Sequence, residues 1–179
     1  MKHNFLFTSK RLGFRNWIDS DLESMANINA NSMVMEHFPS TATQQETFAF
    51  IKKMKALLQE EGFCYFATVE LETNAFIGFI GFARPKFNTS FMPCIDMGWR
   101  LSPSFWGMGY ATEGALRCLK YGFKELGFKN VKSIAPVVNK KSIQIMKKIG
   151  MTLQLEFTHP LLKGNTKLEK CVCYEISRS

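Results

Sequence analysis

The run Trp106-Gly107-Met108-Gly109-Tyr110-Ala111-Thr112-Glu113 constrains the fold more than any other stretch of this chain. It follows an apolar, strand-like segment, Cys94 to Leu101. It opens an amphipathic helix in which Ala111, Ala115, Leu119, Phe123 and Leu126 share one face. A glycine-rich turn leaves backbone N–H groups unshielded by side chains. With the positive end of the helix dipole, those donors suit a pyrophosphate. A plain strand-to-helix connection also turns on glycine, so the turn taken alone leaves both readings open. Small residues (Ala111, Gly114, Ala115, Cys118) let the helix sit close to a sheet or a ligand. A second punctuation, Asn139-Lys140-Lys141-Ser142, opens another helix that stops at Gly150.

The remaining elements read in order. Phe5 to Arg15 is a first strand. Ser20-Asp21-Leu22-Glu23 has the form of a capping box and starts a helix to Ala30. Thr43, with Glu46 three residues on, caps a second helix whose stripe is Phe48, Ile51, Met54, Leu57 and Leu58 and which Gly62 closes. Phe63 to Glu70 and Phe76 to Phe82 form a hairpin around Thr73-Asn74. Cys94 to Leu101 is a central strand. Strands at Val131 to Val138, Met151 to Thr158 and Cys171 to Ile176 complete the chain.

A chain of 179 residues is expected to form one domain, residues 1–179, with a substantial core. Its five cysteines show neither ligand-pair spacing nor a disulfide framework, which points away from a metal and toward a reducing cytoplasm. No segment has the apolar length of a membrane span, and the first residues lack a signal peptide's apolar core. The formal net charge of +8 suits an anionic ligand or macromolecule. Basic and aromatic residues do not interleave as in an RNA-binding module, so a nucleic-acid partner is not expected.

Taken together, the two glycine- and asparagine-marked helix starts resemble the GCN5-related N-acetyltransferase (GNAT) superfamily. Its acyl-CoA signature, Gln/Arg-x-x-Gly-x-Gly/Ala, maps onto Trp106, Gly109 and Ala111, with Trp departing at the first position. Trp-Gly-x-Gly-Tyr-Ala-Thr-Glu is similar to the RimJ/RimL-like branch, which acetylates ribosomal-protein N-termini. The second signature, Asn-x-x-Ser before a helix ending in Gly-Met, is met by Asn139, Ser142, Gly150 and Met151. The opening Thr8 to Arg15 also resembles that branch.

The resemblance implies an α/β fold. A mixed, mostly antiparallel sheet is splayed between its fourth and fifth strands and flanked by about four helices. It implies acetyl-CoA as acyl donor, a primary amine as acceptor (a small amine or a protein or peptide N-terminus), and direct attack in a ternary complex without a metal. Cofactor contacts are expected from Trp99, Arg100, Leu101, Trp106, Gly107, Met108, Gly109, Tyr110, Ala111, Thr112, Asn139 and Ser142.

Within that frame Asp96 is the candidate base, because a carboxylate in an apolar strand is costly unless it has a use or a partner. Alternation puts Asp96, Gly98 and Arg100 on one face, so a salt bridge to Arg100 is the alternative. Gly98 marks a bulge or a close approach, or else plain packing. A free N–H near Trp99 or Arg100 would polarise the thioester carbonyl. Ser142 is the candidate donor to the CoA thiolate, or a helix-start serine that assists capping. Glu113 reads as structural, an acid suited to a helix start. Glu36, His37, Phe38 and His159 are placed at the acceptor mouth, in the loops 33–43, 87–93 and 159–167. Two other readings stand beside the enzyme: a non-catalytic acyl-CoA-binding module, and a basic RNA- or ribosome-associated protein. A homodimer formed through the edge of the final strand is a further expectation.

Overall fold

The computed structural model describes residues 4–178. Its strands are β1 (Phe7–Thr8), β2 (Leu12–Arg15), β3 (Tyr65–Glu70), β4 (Phe76–Ala83), β5 (Asp96–Leu101), β6 (Asn130–Pro136), β7 (Thr152–Thr158) and β8 (Lys170–Ser177). Its helices are α1 (Asp21–Ala30), α2 (Gln44–Glu61), α3 (Tyr110–Lys124) and α4 (Lys140–Lys148). One sheet holds the strands in the order β1-β2-β3-β4-β5-β6-β8-β7. All neighbours are antiparallel except β5 and β6. That parallel pair is registered at Asp96↔Lys132, and the strands diverge beyond it. The fold is the α/β architecture with a splayed, mostly antiparallel sheet that the sequence suggests.

Local chemistry explains the elements and their departures from expectation. The strand expected over Phe5 to Arg15 is two short strands folded on each other around Ser9, because the Ser9 hydroxyl and backbone hold Leu12 in a turn. At α2 the capping box forms in both directions between Thr43 and Glu46. At α1 it does not: Ser20 lies in a helical conformation and its side chain caps nothing. Asp21 organises that end instead. Its carboxylate takes both guanidinium nitrogens of buried Arg15 at 2.7 Å and the Ile18 N–H at 2.9 Å.

α3 seats directly on the sheet, since a Cβ at Gly114 would collide with Ile80. The core that results joins Leu12, Phe14, Phe66, Ile80 and Phe82 with Ala115 and Leu119. β8 lies between β6 and β7, so the final strand is not an edge; the free edges belong to β1 and β7. All five cysteines are buried free thiols. Among the described residues, no helix is long and apolar enough to cross a membrane and no group of metal-binding side chains converges.

Candidate active site

The glycine turn has the backbone that its sequence implies. Gly107 and Gly109 lie at φ 76° and 80°, the left-handed region that side chains other than glycine adopt with strain. Gly109 caps α3 without any side-chain bond. The first helical donor engaged is Glu113, whose N–H reaches Gly109. Among the described residues, the N–H groups of Gly107, Met108, Gly109, Tyr110, Ala111 and Thr112 have no protein acceptor, as at a helix start that no side chain caps.

Side chains brace this open turn from below. The Glu113 carboxylate accepts from the Ser9 hydroxyl (2.7 Å), the Arg11 N–H (2.8 Å) and Arg11 Nε (2.7 Å). Burial alone would raise its pKa, but the Ser9 and Arg11 donors together hold it below the ordinary value. Glu113 is therefore a tie between the β1–β2 turn and α3. The Arg11 guanidinium also covers the Tyr110 ring at 4.3 Å. Trp106, which departs from the family's signature, donates its indole N–H to the Leu101 carbonyl at 2.8 Å. Its ring carries Lys141 Nζ at 5.0 Å, so the two sequence signatures, distant along the chain, meet at these side chains.

At α4, Asn139 Oδ1 accepts the Ser142 N–H at 3.1 Å. The Ser142 hydroxyl has no protein partner among the described residues, and Ser142 is half-buried.

On β5 the ladder decides which N–H groups face the opening. Ser102 donates to Ile77, so alternation turns the Arg100 N–H toward β4 and the N–H groups of Trp99 and Leu101 toward the splay. No bulge interrupts β5 at Gly98: the β4–β5 register runs unbroken from Gly78↔Leu101 to Ala83↔Asp96. Gly98 is needed for another reason, because a Cβ there would press on the Tyr65 ring at 3.0 Å.

The salt bridge weighed between Asp96 and Arg100 does not form. Asp96 Oδ2 accepts from the Tyr65 hydroxyl at 2.7 Å, and its Oδ1 makes no hydrogen bond. Burial pushes the Asp96 pKa up to about 7, against the opposing pull of the Tyr65 hydroxyl and the dipole of the Ile134 N–H. Burial and the neighbouring Asp96 push Tyr65 well above its ordinary value, so it stays a donor. Tyr65 was not singled out in the sequence. Its signal there is a hydroxyl inside an apolar strand, where it must find a partner.

Arg100 bonds Asn29 Oδ1 at 2.6 Å and lies over the Phe38 ring at 4.2 Å. Asn29, on α1, was likewise not anticipated.

The three expected acceptor loops do touch. Glu36 reaches Lys167 at 3.7 Å, and the His159 ring packs on Phe87 at 4.3 Å. Phe91 packs edge-on against Phe157. His159 Nδ1 accepts the Leu161 N–H at 3.2 Å and so also caps a short 3-10 turn. His37 is half-buried beside Glu36, and its Nδ1 is unpartnered. Burial lowers the His37 pKa, Glu36 opposes that, and Lys167 and Lys141 add to it.

The Acetyltransferase (GNAT) domain matches this chain over residues 11–152, which include the glycine turn, Asp96 and the Asn139 helix. The chain belongs to the GNAT acetyltransferase family.

An uncharacterized N-acetyltransferase of Bacillus subtilis, YnaD, is 30% identical over 159 residues, 88% of this chain and 89% of that protein. A GNAT-family acetyltransferase from Bacillus anthracis superposes with a TM-score of 0.79 at 27% identity, covering 95% of this chain and 96% of that one. RimL, a ribosomal-protein alpha-N-acetyltransferase solved in complex with coenzyme A, shares the fold with a TM-score of 0.77 at 16% identity, covering 97% and 98% of the two chains. This GNAT protein is thus an N-acetyltransferase by family.

Proposed function

We propose that this protein transfers the acetyl group of acetyl-CoA to a primary amine by direct attack in a ternary complex, in the manner of the RimJ/RimL-like branch. One observation carries the reading: the unpaired N–H groups from Gly107 to Thr112 at the head of α3, beside the parallel, diverging strand pair β5–β6. The donors suit the CoA pyrophosphate, and the opening suits the pantetheine arm, whose amides pair like a strand's.

The remaining roles follow from placement. The Trp99 N–H, directed into the opening, is the donor to the thioester carbonyl. Asp96, on the α1/α2 face of β5 with a pKa near neutrality, takes the ammonium proton, directly or through one water. The amine then attacks the carbonyl carbon, the C–S bond breaks, and the thiolate receives a proton from the Ser142 hydroxyl, which regains one through water from the second proton that the nitrogen loses on becoming an amide. Glu36, His37, Phe38 and His159 border the acceptor. The buried free thiols support action in the cytoplasm. Pairing of two copies would use the open β7 edge, β8 being enclosed.

Thermal unfolding with saturating acetyl-CoA, against ATP and NAD, tests the cofactor. A ligand at about a hundred times its dissociation constant stabilises by about 2.7 kcal/mol. A selective shift together with CoA release in the presence of amines supports the enzyme. A shift without release by any amine favours the non-catalytic acyl-CoA-binding module. No shift in a folded sample sinks both.

A further inference from the structure

Arg100 is a half-buried cation that no carboxylate neutralises. It makes none of the ion pairs found among the described residues. Its single hydrogen bond runs from Nη1 to Asn29 Oδ1. Nε is buried and unpartnered, and Nη2, on the same edge of the guanidinium, has no acceptor either. Nε is closed to solvent, so Nη2 is the unpaired donor that an incoming carboxylate oxygen can reach.

The guanidinium is held in place. Thr47 Oγ1 donates to the Thr43 carbonyl at 2.9 Å and accepts from Asn29 Nδ2 at 2.9 Å. The Asn29 amide is thereby fixed with its oxygen toward Arg100. Asn29 and Thr47 are fully buried, so this chain from α2 through α1 to β5 is not a surface accident. The rings of Phe38 and Phe79 lie 4.2 and 5.4 Å from the guanidinium carbon. They stack on the cation and leave its hydrogen bonding to the plane.

Desolvation already weighs on the guanidinium, lowering its pKa to about 10. A partly desolvated charge left in this state favours an anion. The carboxylate on the same face does not supply one: Asp96 accepts from the Tyr65 hydroxyl instead. Arg100 shares the α1/α2 face of β5 with Asp96, the face assigned above to the acceptor.

We infer that the acceptor is an amine that also carries a carboxylate, an amino acid or a related amino-carboxylate, and that Nη2 of Arg100 binds the carboxylate. This rests on the acetyltransferase reading and narrows its acceptor. It argues against polyamines, whose cations would meet Arg100.

The test compares the L-amino acids with their primary amides and with spermidine, reading CoA release. Carboxylates should exceed their amides by about ten- to a hundredfold in kcat/KM, the span of one to two charge-assisted bonds. Arg100→Gln should bring acid and amide to the same value, and Arg100→Lys should restore part of the preference. Amides or spermidine equal to the acids, or an unchanged preference in Arg100→Gln, would overturn the proposal.

Binding separates this from failure of the enzyme reading. CoA-loaded protein is melted with N-acetyl amino acids or with their amides. Stabilisation by the acids alone, lost in Arg100→Gln, upholds the carboxylate site even if no amine is turned over. No stabilisation by the acids overturns it, whatever the activity. A retained acetyl-CoA shift in each variant shows that the fold is intact.

Discussion

The Tyr65 hydroxyl donates a 2.7 Å hydrogen bond to Oδ2 of Asp96 across the face of β5. This bond partly offsets the effect of burial and helps set the Asp96 pKa at about 7. The rate should therefore rise with pH through about 7 and level above it, as Asp96 loses its proton. Tyr65→Phe removes a donor that favours the carboxylate. The rising limb should move to higher pH, with the acetyl-CoA melting shift unchanged. A limb that stays in place would detach Asp96 from the proton transfer.

Asp96→Asn should lower kcat by about a hundred- to ten-thousandfold, the usual worth of a positioned base, and abolish that limb. Stability gives a second reading. A carboxylate whose folded pKa is raised binds its proton more tightly folded than unfolded. Stability is therefore lost as pH rises from the ordinary carboxylate value through about 7. The Asn variant escapes that loss, so its Tm should exceed that of the parent above pH 7 and approach it near pH 4 in thermal melts.

Ser142→Ala leaves the cap intact, because Asn139 accepts the Ser142 backbone N–H and not its hydroxyl. The expected outcome is slower release of the CoA thiolate, about tenfold or more in kcat, with an unaltered melting temperature. Single-turnover kinetics against thermal melts separate the two effects.

Gly109→Ala places a Cβ at φ 80°. The left-handed conformation costs about 1–2 kcal/mol for a non-glycine residue. The Tm should fall by a few degrees. Affinity for acetyl-CoA, measured by calorimetry, should weaken as the N–H groups are displaced.

Asp21→Ala leaves Arg15 buried without a counter-charge, since Nη2 loses its acceptor and Nη1 keeps only the Asn16 carbonyl. Removing one partner of a buried pair costs about 3–5 kcal/mol. Denaturant midpoints should show this as one of the largest single losses available outside the apolar core.

Sequence alone specifies the α/β alternation, the glycine turn and the second helix cap. These signals are local: φ at Gly107 and Gly109, the reciprocal Thr43–Glu46 cap and the Asn139 cap need only neighbours along the chain. Local form misled where a distant residue intervened. Ser20 fits a capping box, but buried Arg15 draws Asp21 into the organising role. Gly98 looks like a bulge until the Tyr65 ring, from β3, is seen to occupy its space. The placement of β8 between β6 and β7 likewise required the assembled sheet.

The pairing of charges was also decided only by tertiary structure. Strand alternation could put Asp96 and Arg100 on one face, and there they looked like each other's partners. Folding gives Asp96 to Tyr65 and Arg100 to Asn29, residues contributed by β3 and α1. Burial then raises the carboxylate's pKa and leaves the guanidinium edge unpaired. Periodicity reports the direction of a side chain from its own strand. It carries no information about what packs across from it, and that packing sets both the desolvation and the partners on which this site depends.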